Sequence, residues 1–147
     1  MTCDPPIPMM AVPMMSQAFN AAFAALEQWA RKETPAPRAE RIEVANPGTP
    51  QATVVADGNG HGLGGVRYTY VEVPAATLFT NSAGPGVCRE MGREAPFDRV
   101  RFQSAYPSTK TYTDKVGQAA DRLVKERWLT EADARRIKQE AQARALK

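Results

Sequence analysis

The sequence predicts a mixed α+β chain: an N-terminal amphipathic helix, then short strands and long loops, then a C-terminal helical hairpin. Three observations carry this. Apolar residues recur at helical spacing in the stretch NAAFAALEQW, residues 20–29. A glycine-dense turn in DGNGHGLGGVRYTYVEVP, residues 57–74, runs into alternating β-branched and aromatic residues. Two amphipathic stretches joined at a corner occupy the last forty residues.

At 147 residues the default is one domain. Eleven of the twelve prolines precede Tyr106, so long helices are disfavoured there. Residues 1–105 also supply few core side chains for their length. They read as excursions laid over a larger body.

The first helix is expected over residues 17–32, with Ser16 as its cap. Phe19, Phe23, Leu26 and Ala30 recur on one face with Trp29 beside them, and Glu27 and Arg31 form an i,i+4 pair. Pro35 and Pro37 stop the helix near Thr34. Short strands follow at residues 41–44 and 53–55, separated by the Asn46-Pro47-Gly48 turn. Residues 57–65 hold five glycines in nine positions, which suits tight turns with positive φ. A strand is expected at residues 65–73, ended by Pro74. Residues 75–106 read as irregular.

The hairpin begins with a helix over residues 110–127, with an apolar stripe of Tyr112, Val116, Ala119, Ala120, Leu123 and Val124. Trp128-Leu129 makes the corner. Thr130 and Asp133 form an acidic variant of the capping box and open a second helix with Ala134, Ile137 and Ala141 facing inward.

Net charge is +3, divided as +5 over residues 101–147 and −2 over residues 1–100. Acids interleave with the bases on the predicted helices, as in Asp121-Arg122 and Lys125-Glu126-Arg127. That pattern is a solvated helix face and argues against a nucleic-acid partner. No window approaches the roughly 18 apolar residues of a membrane helix. The first fifteen residues carry Asp4, interrupting prolines and no basic flank, so they are not an export signal. Met9, Met10, Met14 and Met15 read as a packing arm, since thioethers fill irregular gaps.

Candidate chemistry is sparse. Gly64-Gly65 leads into a strand-like run with no Gly-Lys-Ser/Thr, so a phosphate loop is excluded. His61 is the only histidine, lies between glycines and is expected to be mobile, whereas a general base needs a fixed partner. None of the four serines, Ser16, Ser82, Ser104 and Ser108, lies in Gly-x-Ser-x-Gly. One histidine and two distant cysteines fall short of a zinc set, and no cofactor is expected. The residues therefore nominate no catalytic, cofactor or metal ligand. Cys3 and Cys88 stand 85 positions apart, outside any Cys-x-x-Cys motif. On the residues alone, one disulfide and two buried thiols are equally good readings.

The order of motifs resembles the C-terminal section of a bacterial family known as the alpha/beta hydrolase domain. The similarity begins at Cys3-Asp4-Pro5-Pro6 and passes through Asn20-Ala21-Ala22, Leu26, Trp29 and Thr34-Pro35. It continues through Gly58-Asn59, Gly64-Gly65-Val66-Arg67, Val71-Glu72-Val73-Pro74, the Cys88 region and Pro96-Phe97. It ends in the hairpin at Tyr112, Ala119-Ala120, Leu123-Val124, Glu126-Arg127, Leu129 and Asp133-Ala134. Members are several times longer, often exported and largely undefined in substrate. The resemblance implies a nucleophile and a catalytic histidine upstream of the segment matching Cys3, and it favours a Cys3–Cys88 disulfide.

On this reading residues 1–147 are one incomplete C-terminal segment of an α/β-hydrolase-like domain. It comprises an arm and helix (1–38), strands and loops (39–107) and the hairpin (108–147). It contributes scaffold and pocket wall to an ester or acyl hydrolase and is not competent alone. Its expected partners are the N-terminal part of such a fold or a second copy, through apolar surface centred on Phe19, Phe23 and Trp29. The reading from another class is a stand-alone interaction module that uses the helical hairpin and the Phe/Trp face.

Overall fold

The computed structural model describes residues 14–79, 82–90 and 92–145. The fold is mixed α and β. Helix α1, Met14–Lys32, begins ahead of the expected Ser16 cap. Glu33 closes it in the left-handed region (φ 53°), its N–H donating to the Trp29 carbonyl at 3.0 Å, before the Thr34-Pro35 stop. The face of α1 turned inward is Gln17, Ala21 and Ala25. Phe19, Phe23, Leu26 and Trp29 are exposed.

Strands β1, Val44–Ala45, and β2, Thr53–Val54, pair antiparallel with Val44 opposite Val54. They are shorter than expected, and the turn between them places Asn46 and Gly48 at positive φ. Bridges from Ile42 to Gly64 and from Ala56 to Gly62 extend the pair into a three-segment meander. Gly64 is required here. Its φ is +74°, and a Cβ would stand 2.3 Å from the Arg41 carbonyl oxygen.

The strand expected at residues 65–73 is not formed. The segment instead makes one helical turn, α2, Thr69–Glu72. Gly64 and Gly65, both at positive φ, reverse the chain out of the meander. The Arg67 guanidinium then donates to Asp57 Oδ2 at 2.6 Å, Glu72 Oε2 at 3.0 Å, the Val71 carbonyl at 3.3 Å and the Gly62 carbonyl. The chain curls around this ion, and no neighbouring strand supplies a ladder. Tyr68 and Tyr70 both reach the C-terminal hairpin, donating to the Trp128 carbonyl at 2.9 Å and to Glu140 at 3.1 Å.

The stretch expected to be irregular, residues 75–106, carries more order than its composition suggests. Strands β3, Ala76–Phe79, and β4, Arg93–Pro96, pair antiparallel from Ala76↔Pro96 to Phe79↔Arg93. Pro96 is tolerated because it ends the ladder. A 3-10 turn, Gly86–Glu90, lies between the two strands. Helix α3, Arg99–Ala105, is capped by Asp98, which accepts from the Arg101 N–H at 2.7 Å. No parallel strand pair occurs among the described residues.

The hairpin forms as expected. Helix α4, Thr109–Lys125, is capped by Ser108. Helix α5 is Glu131–Ala145. Arg127, at φ 65°, turns the corner in the left-handed conformation usually left to glycine. Its guanidinium holds Gln28 at 3.0 Å and the Pro35 carbonyl at 2.6 Å, which ties α1 to the corner. The main hydrophobic cluster comprises Tyr112, Val116, Ala119, Ala120, Leu123, Leu129, Ala134, Ile137 and Ala141, joined from outside the hairpin by Val73 and Tyr106. Leu123 is completely buried and Val124 only partly. Phe102, Tyr106 and Tyr112 pack mutually at 5.0–5.1 Å between ring centroids, and the buried Tyr106 hydroxyl donates to the Pro74 carbonyl at 2.9 Å.

Candidate functional site

The glycine-rich turn is built on Asp57. Its Oδ1 accepts from the Asn59 and His61 N–H groups at 2.8 and 3.0 Å, and its carbonyl accepts from Gly60 at 2.9 Å. This Asx turn places His61 inside the molecule, 6% exposed, so the expected mobility is corrected. The ring Nε2 accepts the backbone N–H of Leu78 in β3 at 3.1 Å. That contact fixes the neutral tautomer with its proton on Nδ1, which lies 4.0 Å from Asp57 Oδ2 and has no hydrogen-bond partner.

Burial pushes the His61 pKa below 6.5. The Asp57 carboxylate opposes the shift, and Arg67 and Arg101 reinforce it. Burial alone would raise Asp57, but the Arg67 hydrogen bond and the His61 and Asn59 amides hold its carboxyl below 3.8. Chemically, the lone pair that a general base would offer is already engaged by a main-chain amide. The arrangement fastens the meander to β3.

The serines fall in separate elements: Ser16 in α1, Ser82 before the 3-10 turn, Ser104 in α3 and Ser108 at the α4 cap. Cys88 sits in the 3-10 turn, fully buried, and is not a free thiol. Cys3 lies outside the described residues, as do Met9 and Met10. Among the described residues, no group of three or more His, Cys, Asp or Glu could hold a metal ion, and no helix is long and apolar enough to cross a membrane.

Sequence reasoning missed a concavity beside the hairpin. A groove of about 810 Å³ runs between β4, α3 and the start of α4, walled by Phe97, Phe102 and Tyr106. A recess of about 30 Å³ adjoins it, and Ala75, Glu94 and Arg144 line both. Thr69 and Glu94 both line the recess, and Thr69 Oγ1 and Glu94 Oε2 are each buried without a hydrogen-bond partner. Tyr70 also lines it, with a hydroxyl pKa pushed up to about 12, chiefly by burial. The sequence pattern puts Thr69 on a strand and Glu94 in an irregular stretch. No spacing motif in the sequence links them.

The family model described as alpha/beta hydrolase domain matches residues 1–139. No curated protein and no solved structure matches the chain. The match spans the described fold from α1 through most of α5, and on it the chain belongs to the alpha/beta hydrolase domain family.

Proposed function

We propose that this chain is the C-terminal scaffold portion of an α/β-hydrolase-like protein. When complete, that protein would hydrolyse an ester or related acyl bond by nucleophilic attack. The chain supplies support and pocket wall, while the nucleophile and catalytic histidine reside on the body it packs against. One observation carries this reading. The apolar face of α1 points away from the core, with Phe19 57%, Phe23 67%, Leu26 57% and Trp29 55% exposed. A face of that size on an ordered helix marks a surface that is covered in the working protein. The sequence adds that no serine stands in a nucleophile elbow, and the engaged Nε2 of His61 agrees.

The proposed cover is the N-terminal part of the hydrolase fold, with self-association when that part is absent. A Cys3–Cys88 disulfide belongs to the same proposal and would pin the arm ahead of α1 to the 3-10 turn. The second reading, a stand-alone interaction module, rests on the hairpin, whose helices α4 and α5 supply most of their own core. The in-frame sequence upstream of Met1 separates the two. A Gly-x-Ser-x-Gly elbow there, with a stable complex on co-expression, supports the hydrolase portion. An elbow-free upstream region with a folded, monodisperse chain alone supports the module.

A further inference from the structure

We propose that the arm ahead of α1 is a strap that runs from the helix to Cys88 and seats a methionine of its middle in the recess. The proposal rests on the Cys3–Cys88 bridge of the functional reading and adds the path between. Both ends of that path meet the recess. In the first turn of α1, Gln17 Nε2 donates at 3.2 Å to the Tyr70 hydroxyl, and Tyr70 lines the recess. Leu78 and Glu94 line it too, as cross-strand partners one pair from the end of the β3–β4 ladder. The chain beyond that end carries Cys88, which is fully buried and not a free thiol, and Cys3 is the other cysteine of the sequence.

Eleven residue steps separate Cys3 from Met14. Extended, they span at most roughly 40 Å, against about 13 Å for a four-residue strand, so the strap can run the length of the β3–β4 pair. Its middle falls on Pro8 and Met9, flanked by Ile7 and Met10. Pro5, Pro6, Pro8 and Pro13 carry no N–H, which suits a segment that crosses a surface without a ladder partner. The recess matches that content. Val73, Leu78, Tyr112, Val116, Ile137 and Ala141 give it an apolar wall. Its volume, about 30 Å³, takes a methyl-sized group, and a thioether tip fills an irregular gap of this kind. Thr69 Oγ1 and Glu94 Oε2 are buried out of its reach, and an apolar tip asks for no donor. Glu140 and Arg144 also line the recess, and an uncharged tip makes no demand on either sign. Met9 and Met10 point to opposite sides of an extended chain, so one of them faces the wall. Ala75, Glu94 and Arg144 line both recess and groove, so a seated strap closes that end of the groove.

The test is NMR of the full, non-reduced chain with methyl-labelled methionine. The Met9 or Met10 methyl should show nuclear Overhauser contacts to the Tyr112 ring and to the Leu78 and Ile137 methyls. Cys3→Ser should lose most of that intensity, because the tether sets the local concentration of the arm. Unchanged Leu123 and Leu129 signals in that variant show that the hairpin core is intact. With the bridge in place, an absence of these contacts, or contacts to Phe19 and Phe23 instead, overturns the seat. Full intensity in Cys3→Ser overturns the strap. Two free thiols on titration overturn the bridge and the path together. Ester turnover, which tests the hydrolase reading, is read independently of all of these.

Discussion

Leu78 donates its backbone N–H to Nε2 of His61 at 3.1 Å, so a side chain of the glycine-rich loop fastens directly to the backbone of strand β3. Protonation would turn that acceptor into a second donor facing the Leu78 amide. The folded pKa of His61 lies below 6.5, so in the interval between the two values the unfolded chain binds the proton and the folded chain does not. Stability from this contact is therefore fully present above pH 6.5 and is lost as pH falls through the window beneath it. Asp57, held below 3.8, loses its own contribution only at lower pH. The expected result is that His61→Gln, which keeps an acceptor but cannot titrate, flattens the pH dependence of unfolding free energy just below pH 6.5. Identical slopes for the two proteins would contradict this.

Arg67 is the next test of the same loop. It bonds Asp57, Glu72 and two carbonyls and is only 19% exposed. Arg67→Met should cost about 1.5–3 kcal/mol, the range for hydrogen bonds to charged groups. Asp57→Asn added to that variant should cost less than it does in the parent chain, because the pair it would break is already gone. Additive losses in denaturant unfolding would separate the two residues.

Leu123 anchors the hairpin with no exposed surface. Leu123→Ala should lower the unfolding free energy by about 2–5 kcal/mol. Phe23→Ala, at a position 67% exposed, should change it by no more than about 0.5 kcal/mol. Similar losses at the two positions would mean that the α1 face is already packed within the isolated chain.

The Cys3–Cys88 bridge requires Cα atoms within about 7 Å. Thiol titration of non-reduced, denatured protein from an oxidising compartment should find no free thiol. Two free thiols would remove the bridge.

The hairpin was legible in the sequence because its signals are local. The stripe from Tyr112 to Leu123 and the Thr130–Asp133 box, observed at 3.1 Å from the Asp133 N–H to Thr130 Oγ1, both lie within a few residues of one another. The exposed Phe/Trp face of α1 and the Asn46–Gly48 turn were legible for the same reason. The segment from Gly65 to Val73 was misread because its alternation suggests a strand, while the Arg67–Asp57 pair, ten residues apart, decides its path. The β3–β4 pairing and the Thr69–Glu94 recess depend on partners still further apart. Pattern within a window cannot register them.

The proposed role is support of an acyl-hydrolase centre that this chain does not itself house. The most direct measurement is turnover of a chromogenic short-chain ester by the purified chain, alone and co-expressed with the in-frame upstream region. No turnover above buffer hydrolysis is expected for the chain alone, since the sequence offers no elbow serine and His61 Nε2 is held by the Leu78 amide. Turnover is expected once the upstream region is supplied. Turnover by the chain alone that disappears in His61→Ala would contradict the scaffold role and make His61 a catalytic base.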